Sequence, residues 1–347
     1  MRVMEKRTIL ENSNTRSNNL TLIKFIAAIM VIWGHAIILL QQSKDPISLL
    51  SRNELSLGSV AVAIFFFASG FYVTKSLMKK RSAGEYLKNR ILRIYPAFFI
   101  VLFLTVFVLG PCVSSLSFSE YFKSKDTYMY FLYIAMIPRY TLPGVFENNP
   151  FPSIVNGSLW TLILEVICYV LLYITYKLKI LEKNKLKKIN IIMFICIIII
   201  FGFKIPFLYN WRSYLRPLFV FVMGIEYYIF RDEIKLDLCI LAGTIGASIL
   251  ILKLGFGDIF TIICVPYILS MIIFDKKQVS EKIAFGGKYS YEMYLVAFPI
   301  QQTLIQFLPQ MHIIANIVIS VGLSLLLGMI INFGAENISS KIENYWI

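Results

Sequence analysis

The sequence is poor in charge and poorer still in histidine. Only 16% of its 347 residues are Asp, Glu, Lys or Arg, against about 25% in an ordinary soluble domain. There are two histidines, His35 and His312. So little charge excludes a disordered chain and a coiled coil. The five cysteines, Cys112, Cys168, Cys196, Cys239 and Cys264, have no CxxC spacing. That excludes a disulfide-stapled module and leaves apolar thiols packed in a bundle. No repeat and no low-complexity tract interrupts the chain.

What fills the chain instead is apolar. The hydrophobic class makes up 58% of the residues, with 28 Phe, 20 Tyr and 4 Trp. These residues come in long blocks rather than periodic stripes, and a bilayer-spanning helix needs about 20 mostly apolar residues. The pattern predicts an all-α integral membrane protein of about ten transmembrane helices, near 20–41, 57–78, 94–114, 156–177, 188–205, 212–231, 236–254, 258–274, 285–308 and 312–333. Domain organisation follows as a short N-terminal segment over 1–19, a ten-helix membrane domain over 20–333 and a short tail over 334–347.

The net charge of +14 is a topology signal and not a nucleic-acid footprint. With residue 1 in the cytoplasm, the cytoplasmic segments hold 24 Lys and Arg and the outer segments hold 8, while Lys24 and Arg216 fall within helices. That is the positive-inside bias, and it predicts a multi-pass protein of the cell (inner) membrane with both termini cytoplasmic. Basic residues precede the first apolar stretch, but the stretch is too long for a signal-peptide core and no small-x-small cleavage site follows it.

An ionisable group inside an apolar block invites a functional reading. Lys24 and His35 lie eleven residues apart in the first helix, within about 20° of one face and separated by about 16 Å of rise. Alone, Lys24 could snorkel to the headgroups and His35 could make an interhelical hydrogen bond. Glu165 falls in the fourth helix about 13 Å deep and His35 about 9 Å deep, so the two could share a cavity, with Tyr169 one turn below Glu165. Ser69-Gly70 permits close approach of a helix or ligand. Arg90 and Arg93, at i, i+3, share a helix face. They suit bidentate phosphate binding, though a positive-inside loop supplies such pairs too. The outer segment 115–155 carries Tyr121, Phe122, Tyr128, Tyr130, Tyr133 and Tyr140, and its length suggests a lid or a partly re-entrant element.

In combination these residues resemble the acyltransferase-3 family of integral membrane acyltransferases, the bacterial polysaccharide O-acetyltransferases. The likeness rests on Asn18-Asn19-Leu20 through Lys24 to Trp33-Gly34-His35, on Phe65-Phe66-Phe67-Ala68-Ser69-Gly70-Phe71, on Arg90-Ile91-Leu92-Arg93-Ile94-Tyr95-Pro96, and on Asn156-Gly157-Ser158-Leu159-Trp160-Thr161-Leu162 with Glu165 and Tyr169. A weaker echo follows in Gly287-Lys288-Tyr289-Ser290-Tyr291 with Tyr294-Leu295 and Pro299. Two positions depart from the family pattern. Ala297 stands where many members have histidine, and Glu336-Asn337-Ile338 replaces a glutamate-x-proline.

The resemblance implies acetyl-CoA as a cytosolic acyl donor, an outer-side carbohydrate acceptor and no metal. Lys24, Arg90 and Arg93 would bind the donor, and His35 would be the general base or carry the acyl group. Glu165 would orient His35 or hold the acceptor, beside Ser69, Trp160 and Tyr169 as substrate-binding residues. Succinyl or another acyl group is an alternative donor chemistry. A non-catalytic transporter or flippase of a lipid-linked sugar is the alternative class, since it also wants ionisable residues near the midplane.

Overall fold

The computed structural model describes residues 7–13, 17–79 and 82–345. Arg2, Lys6, Arg16, Lys80 and Arg81, which count toward the charge bias, lie outside the described residues. Among the described residues the fold is all-α apart from a two-residue antiparallel pairing, β1 (Arg7–Thr8) with β2 (Lys235–Leu236), in which Arg7 faces Leu236, and an isolated bridge between Ser114 and Val145. The ten longer helices are α1 (Asn18–Leu40), α2 (Leu57–Leu77), α3 (Ala83–Val113), α4 (Trp160–Lys177), α5 (Lys183–Ile197), α6 (Arg212–Ile229), α7 (Leu238–Lys253), α8 (Gly257–Ile273), α9 (Ser290–Phe307) and α10 (Ile313–Tyr345). Each predicted apolar block overlaps one of them.

By length and composition, five are able to cross a membrane unaided: α1, α2, α3, α4 and α10. The chain is therefore a multi-pass membrane protein, with five such helices among the described residues where ten spans were expected. The shortfall has physical causes. α7 and α8 are apolar but short, and α6 carries Arg212, Arg216 and Glu226. In α9, Glu292, Gln301 and Gln302 are all buried. A helix surrounded by protein can carry such groups, whereas one facing lipid cannot.

Backbone contacts divide the chain into two compact units, one of Met1–Ala27, Asp45–Arg81 and Leu164–Gly287, the other of Ala28–Lys44, Ser82–Ile163 and Lys288–Ile347. In the first, α2 crosses α6 at two glycines. A Cβ on Gly70 would collide with the Phe221 carbonyl oxygen, and one on Gly224 with that of Phe67. Of the two readings of Ser69-Gly70, the close helix approach is thus the one Gly70 serves. Arg216 is taken out of lipid by Asp258, 2.6 Å away, with both residues buried. The Asn18-Asn19 motif is an anchor: Asn19 Nδ2 donates to the carbonyls of Ile272 (2.8 Å) and Lys277 (3.1 Å), its Oδ1 accepts from Val279 N at 2.9 Å, and Asn18 Nδ2 donates to Val279 O at 3.0 Å.

In the second unit, α9 and α10 form an antiparallel hairpin against α3. The outer segment after α3 is built of short helical turns over Phe118–Lys123, Lys125–Met129 and Tyr130–Ala135. It is tied down by Gln302, whose Nε2 donates to Phe151 O (2.8 Å) and Ile154 O (3.0 Å) while Asn149 Nδ2 donates to its Oε1 (2.8 Å). Tyr121, Tyr130 and Tyr133 are buried beneath this segment and serve as its own core; Tyr128 and Phe118 are the exposed rings.

The glycine crossing yields a direct test. Gly70→Ala forces a methyl into backbone and should cost at least about 1–3 kcal/mol, the usual range for overpacking. Gly58→Ala, whose new methyl would find its nearest neighbour at 3.9 Å, should be silent. Thermal unfolding of the two variants in detergent checks the contrast.

Candidate active site

His35 lies in the second unit, in the C-terminal half of α1. Its ring meets the edge of Phe298 on α9 at 5.1 Å between centroids, with an interplanar angle of 76°. One turn before it, the Ile32 carbonyl accepts from Gln301 Nε2 at 2.8 Å, and the same Nε2 reaches Asn316 Oδ1 at 3.1 Å. The imidazole therefore sits on a wall held by polar contacts to its own helix. Its Nδ1 is buried and has no hydrogen-bond partner among the described residues. Sequence reasoning named His35 but missed Gln301 and Phe298. The separation of Phe298 and Gln301 by three residues was their only signal, since that spacing puts both on one face of α9.

Glu165 lies in the first unit and has partners of its own. Its Oε1 accepts from the Tyr169 hydroxyl, one turn along α4, and from Ser69 Oγ at 3.3 Å; the two hydroxyls are 3.1 Å apart. Three of the expected residues are thus brought together around one half-buried carboxylate. Both hydroxyls converge on the same oxygen. The Glu165–Tyr169 contact was legible as i, i+4, while the part played by Ser69, 96 residues away, was not. Lys24 is half-buried on the N-terminal half of α1, in the first unit.

The fourth motif begins before its helix. Asn156 through Leu159 form a turn, and α4 starts at Trp160 where the helix was expected from about 156. The cause is local: Asn156 Oδ1 accepts from the Ser158 N–H (3.2 Å) and hydroxyl (2.6 Å), while its Nδ2 donates to Leu295 O at 2.8 Å. Tyr294 Oη donates to Ser158 O at 2.6 Å. Such side-chain closure competes with helix and anchors the motif to α9. Trp160, half-buried, opens the helix beside this anchor.

Arg90 and Arg93 lie on one face of α3. Arg90 is half-buried and Arg93 exposed. The Arg93 guanidinium stacks on the Tyr291 ring at 4.9 Å, and Tyr291 Oη donates to the carbonyl of the next residue, Ile94, at 3.0 Å. A stacked guanidinium keeps its planar fork for an anion. The sequence pointed to the arginine pair and, separately, to the motif holding Tyr291, without signalling that they meet.

The sequence pattern of a family described as an acyltransferase domain matches residues 17–333. The chain belongs to the acyltransferase-3 family. Its relatives include an "O-acetyl transferase" of Shigella phage Sf6, 28% identical over 312 residues that cover 84% of this chain and 87% of that protein. "Nodulation protein 10" of Rhizobium leguminosarum bv. viciae is 33% identical over 173 residues, covering 47% of this chain and 45% of that protein. No solved structure matches the chain. The protein is a membrane acyltransferase, and the transporter alternative falls away.

The Glu165 cluster of this acyltransferase generates a graded expectation. Tyr169→Phe removes a hydrogen bond to a carboxylate and should lower stability by about 1.5–3 kcal/mol, measured as thermal unfolding in detergent. Ser69→Ala, with its longer 3.3 Å contact, should cost less. Neither should add its full penalty once Glu165 is already Gln, because the three groups share one network.

Proposed function

We propose that this acyltransferase moves an acetyl group from acetyl-CoA in the cytoplasm to a hydroxyl of a carbohydrate presented from the outer side, either a cell-surface glycan or its lipid-linked precursor. The observation that carries the reading is the buried Nδ1 of His35, which has no hydrogen-bond partner among the described residues: an imidazole nitrogen so placed is ready for a substrate proton. In the proposed reaction, His35 takes the proton of the acceptor hydroxyl and the hydroxyl oxygen attacks the thioester carbonyl. A carbon–oxygen bond forms, the carbon–sulfur bond breaks, and the CoA thiolate leaves with the proton returned by His35. Lys24, Arg90 and Arg93 bind the phosphates of the donor. The carboxylate of Glu165, primed by Ser69 and Tyr169, supports the base or holds the acceptor, and Trp160 and Tyr169 offer sugar-facing rings. The relative named as an O-acetyl transferase supports acetyl among acyl groups.

His35→Ala should abolish acetyl transfer while leaving insertion and abundance near normal. A general base contributes about 10²–10⁴-fold in rate. Transfer at the wild-type rate, measured by release of free CoA thiol, would remove His35 from the chemistry.

The sidedness rests on the charge bias and on ten spans over 20–333, with the 334–347 tail cytoplasmic. Reporter fusions at residues 45, 85, 130 and 182 should score outside, inside, outside and inside. Two reversals among the four would refute the topology, and the cytoplasmic donor with it.

A further inference from the structure

At one end of the first unit a single carboxylate lashes three connections together. Glu54, just before α2, accepts from Lys204 Nζ at 2.7 Å through Oε1 and from the Tyr209 hydroxyl through Oε2. Lys204 Nζ also donates to the Gly255 carbonyl at 2.9 Å. The turns leading into α2, α6 and α8 are thereby joined. Asp45 stiffens the first of them: its Oδ1 accepts from Ile47 N (2.8 Å) and Ser48 N (3.1 Å), and its Oδ2 from Leu57 N (2.8 Å). All of these residues belong to the first unit, and the proposed reaction uses none of them.

The charges gathered here do not cancel. Glu54 is matched by Lys204, and Asp258 by Arg216 at 2.6 Å. Arg52 and Arg212 are left over, since neither enters an ion pair among the described residues. Arg212 lies over the Tyr209 ring, 4.6 Å from its centroid, and Lys204 lies 5.5 Å from the same centroid. Arg52 Cδ passes 3.7 Å from where a Cβ on Gly255 would stand, beside the carbonyl that Lys204 holds. Arg212 is also the first residue of α6, whose first turn has no acid and whose N-cap makes no side-chain hydrogen bond. A cation there opposes the positive end of the helix dipole, so an anion at this place is doubly favoured. Stacked on a ring that Glu54 holds by its hydroxyl, the guanidinium keeps its planar fork for that anion.

The same connection presents large rings to the surroundings: Phe203 is 75% exposed, Phe207 78% and Trp211 55%. Beside cations in a membrane protein, such rings mark the headgroup level of the bilayer. A soluble anion would leave them unused. A lipid matches both parts, with phosphate on guanidinium and hydrocarbon on the rings.

We infer that Arg52 and Arg212 form a site for the phosphate of an anionic membrane phospholipid, whose chains lie along Phe203, Phe207 and Trp211. The lipid supplies the negative charge that the start of α6 lacks.

Trp211 is a built-in reporter for the test. The purified full chain in detergent micelles is titrated with phosphatidylglycerol carrying brominated chains, and separately with brominated diacylglycerol, which has the chains without the phosphate. Quenching at Trp211 is read as the difference from Trp211→Phe. Phosphatidylglycerol should reach half-quenching at a mole fraction at least about fivefold lower than diacylglycerol, the contribution of one cation near a lipid surface. Arg212→Gln should shrink that preference about fivefold, and Arg212→Gln with Arg52→Gln should remove it. Equal half-quenching by the two lipids in wild type overturns the inference, and so does a preference that survives the double substitution. Inorganic phosphate that displaces the quenching lipid as effectively as phosphatidylglycerol with unbrominated chains would assign the site to a free anion and overturn it equally. Where Arg212→Gln does not accumulate, Arg52→Gln, at an exposed side chain, carries the same test: an undiminished preference there refutes the paired site.

Discussion

A bilayer offers no water to a stranded polar group, so each must find its partner inside the protein. In the second unit that demand falls largely on α9. Tyr291 holds the Ile94 carbonyl, Tyr294 the Ser158 carbonyl, Gln301 the Ile32 carbonyl, Gln302 the carbonyls of Phe151 and Ile154, and Gln306 that of Val113. Five side chains of one helix thereby secure α3, the turn that opens α4, the His35 helix and the outer segment. The same residues exclude α9 from the set of helices apolar enough to span a membrane unaided.

This arrangement separates two kinds of polar residue. Asn18, Asn19, Asn156, Ser158 and Gln302 spend their hydrogen bonds on backbone and on neighbouring polar side chains, and they are fasteners. His35, Arg93 and Glu165 keep something in reserve: an unclaimed nitrogen, an open guanidinium fork, a half-buried carboxylate supported by hydroxyls. The proposed chemistry draws on the second kind, and the first kind holds the helices that carry them. Several residues of the motifs are thus structural ones lying beside the proposed reactive ones.

Much of this was legible in the sequence, and the limits were physical. Each apolar block announced a helix, because a run of about 20 apolar residues has few other uses. The prominence of His35 and Glu165 followed from the cost of placing them in a membrane, and Tyr169 followed from helical spacing. Contacts between distant segments were not legible: Ser69 with Glu165, Arg93 with Tyr291, Arg216 with Asp258. Burial within the outer segment was not legible either: Tyr121 and Tyr133 fill the segment's own interior, and residue type does not tell such a ring from an exposed one. The start of α4 was placed four residues early because hydropathy cannot see Asn156 folding back on Ser158.

The glycine crossing has a mechanical consequence. Gly70 and Gly224 bring the backbones of α2 and α6 together with no side chain between them, leaving little compliance along that seam. Ser69 is the neighbour of Gly70, so its height is referenced to α6 and moves only if both helices move together. Glu165 and Tyr169 ride on α4, which has no such clamp on this side. Of the three groups that meet at the carboxylate, the serine is the datum and the other two are the adjustable members. A small slide of α4 would therefore part Glu165 from Ser69 while leaving Tyr169, on the same helix, attached.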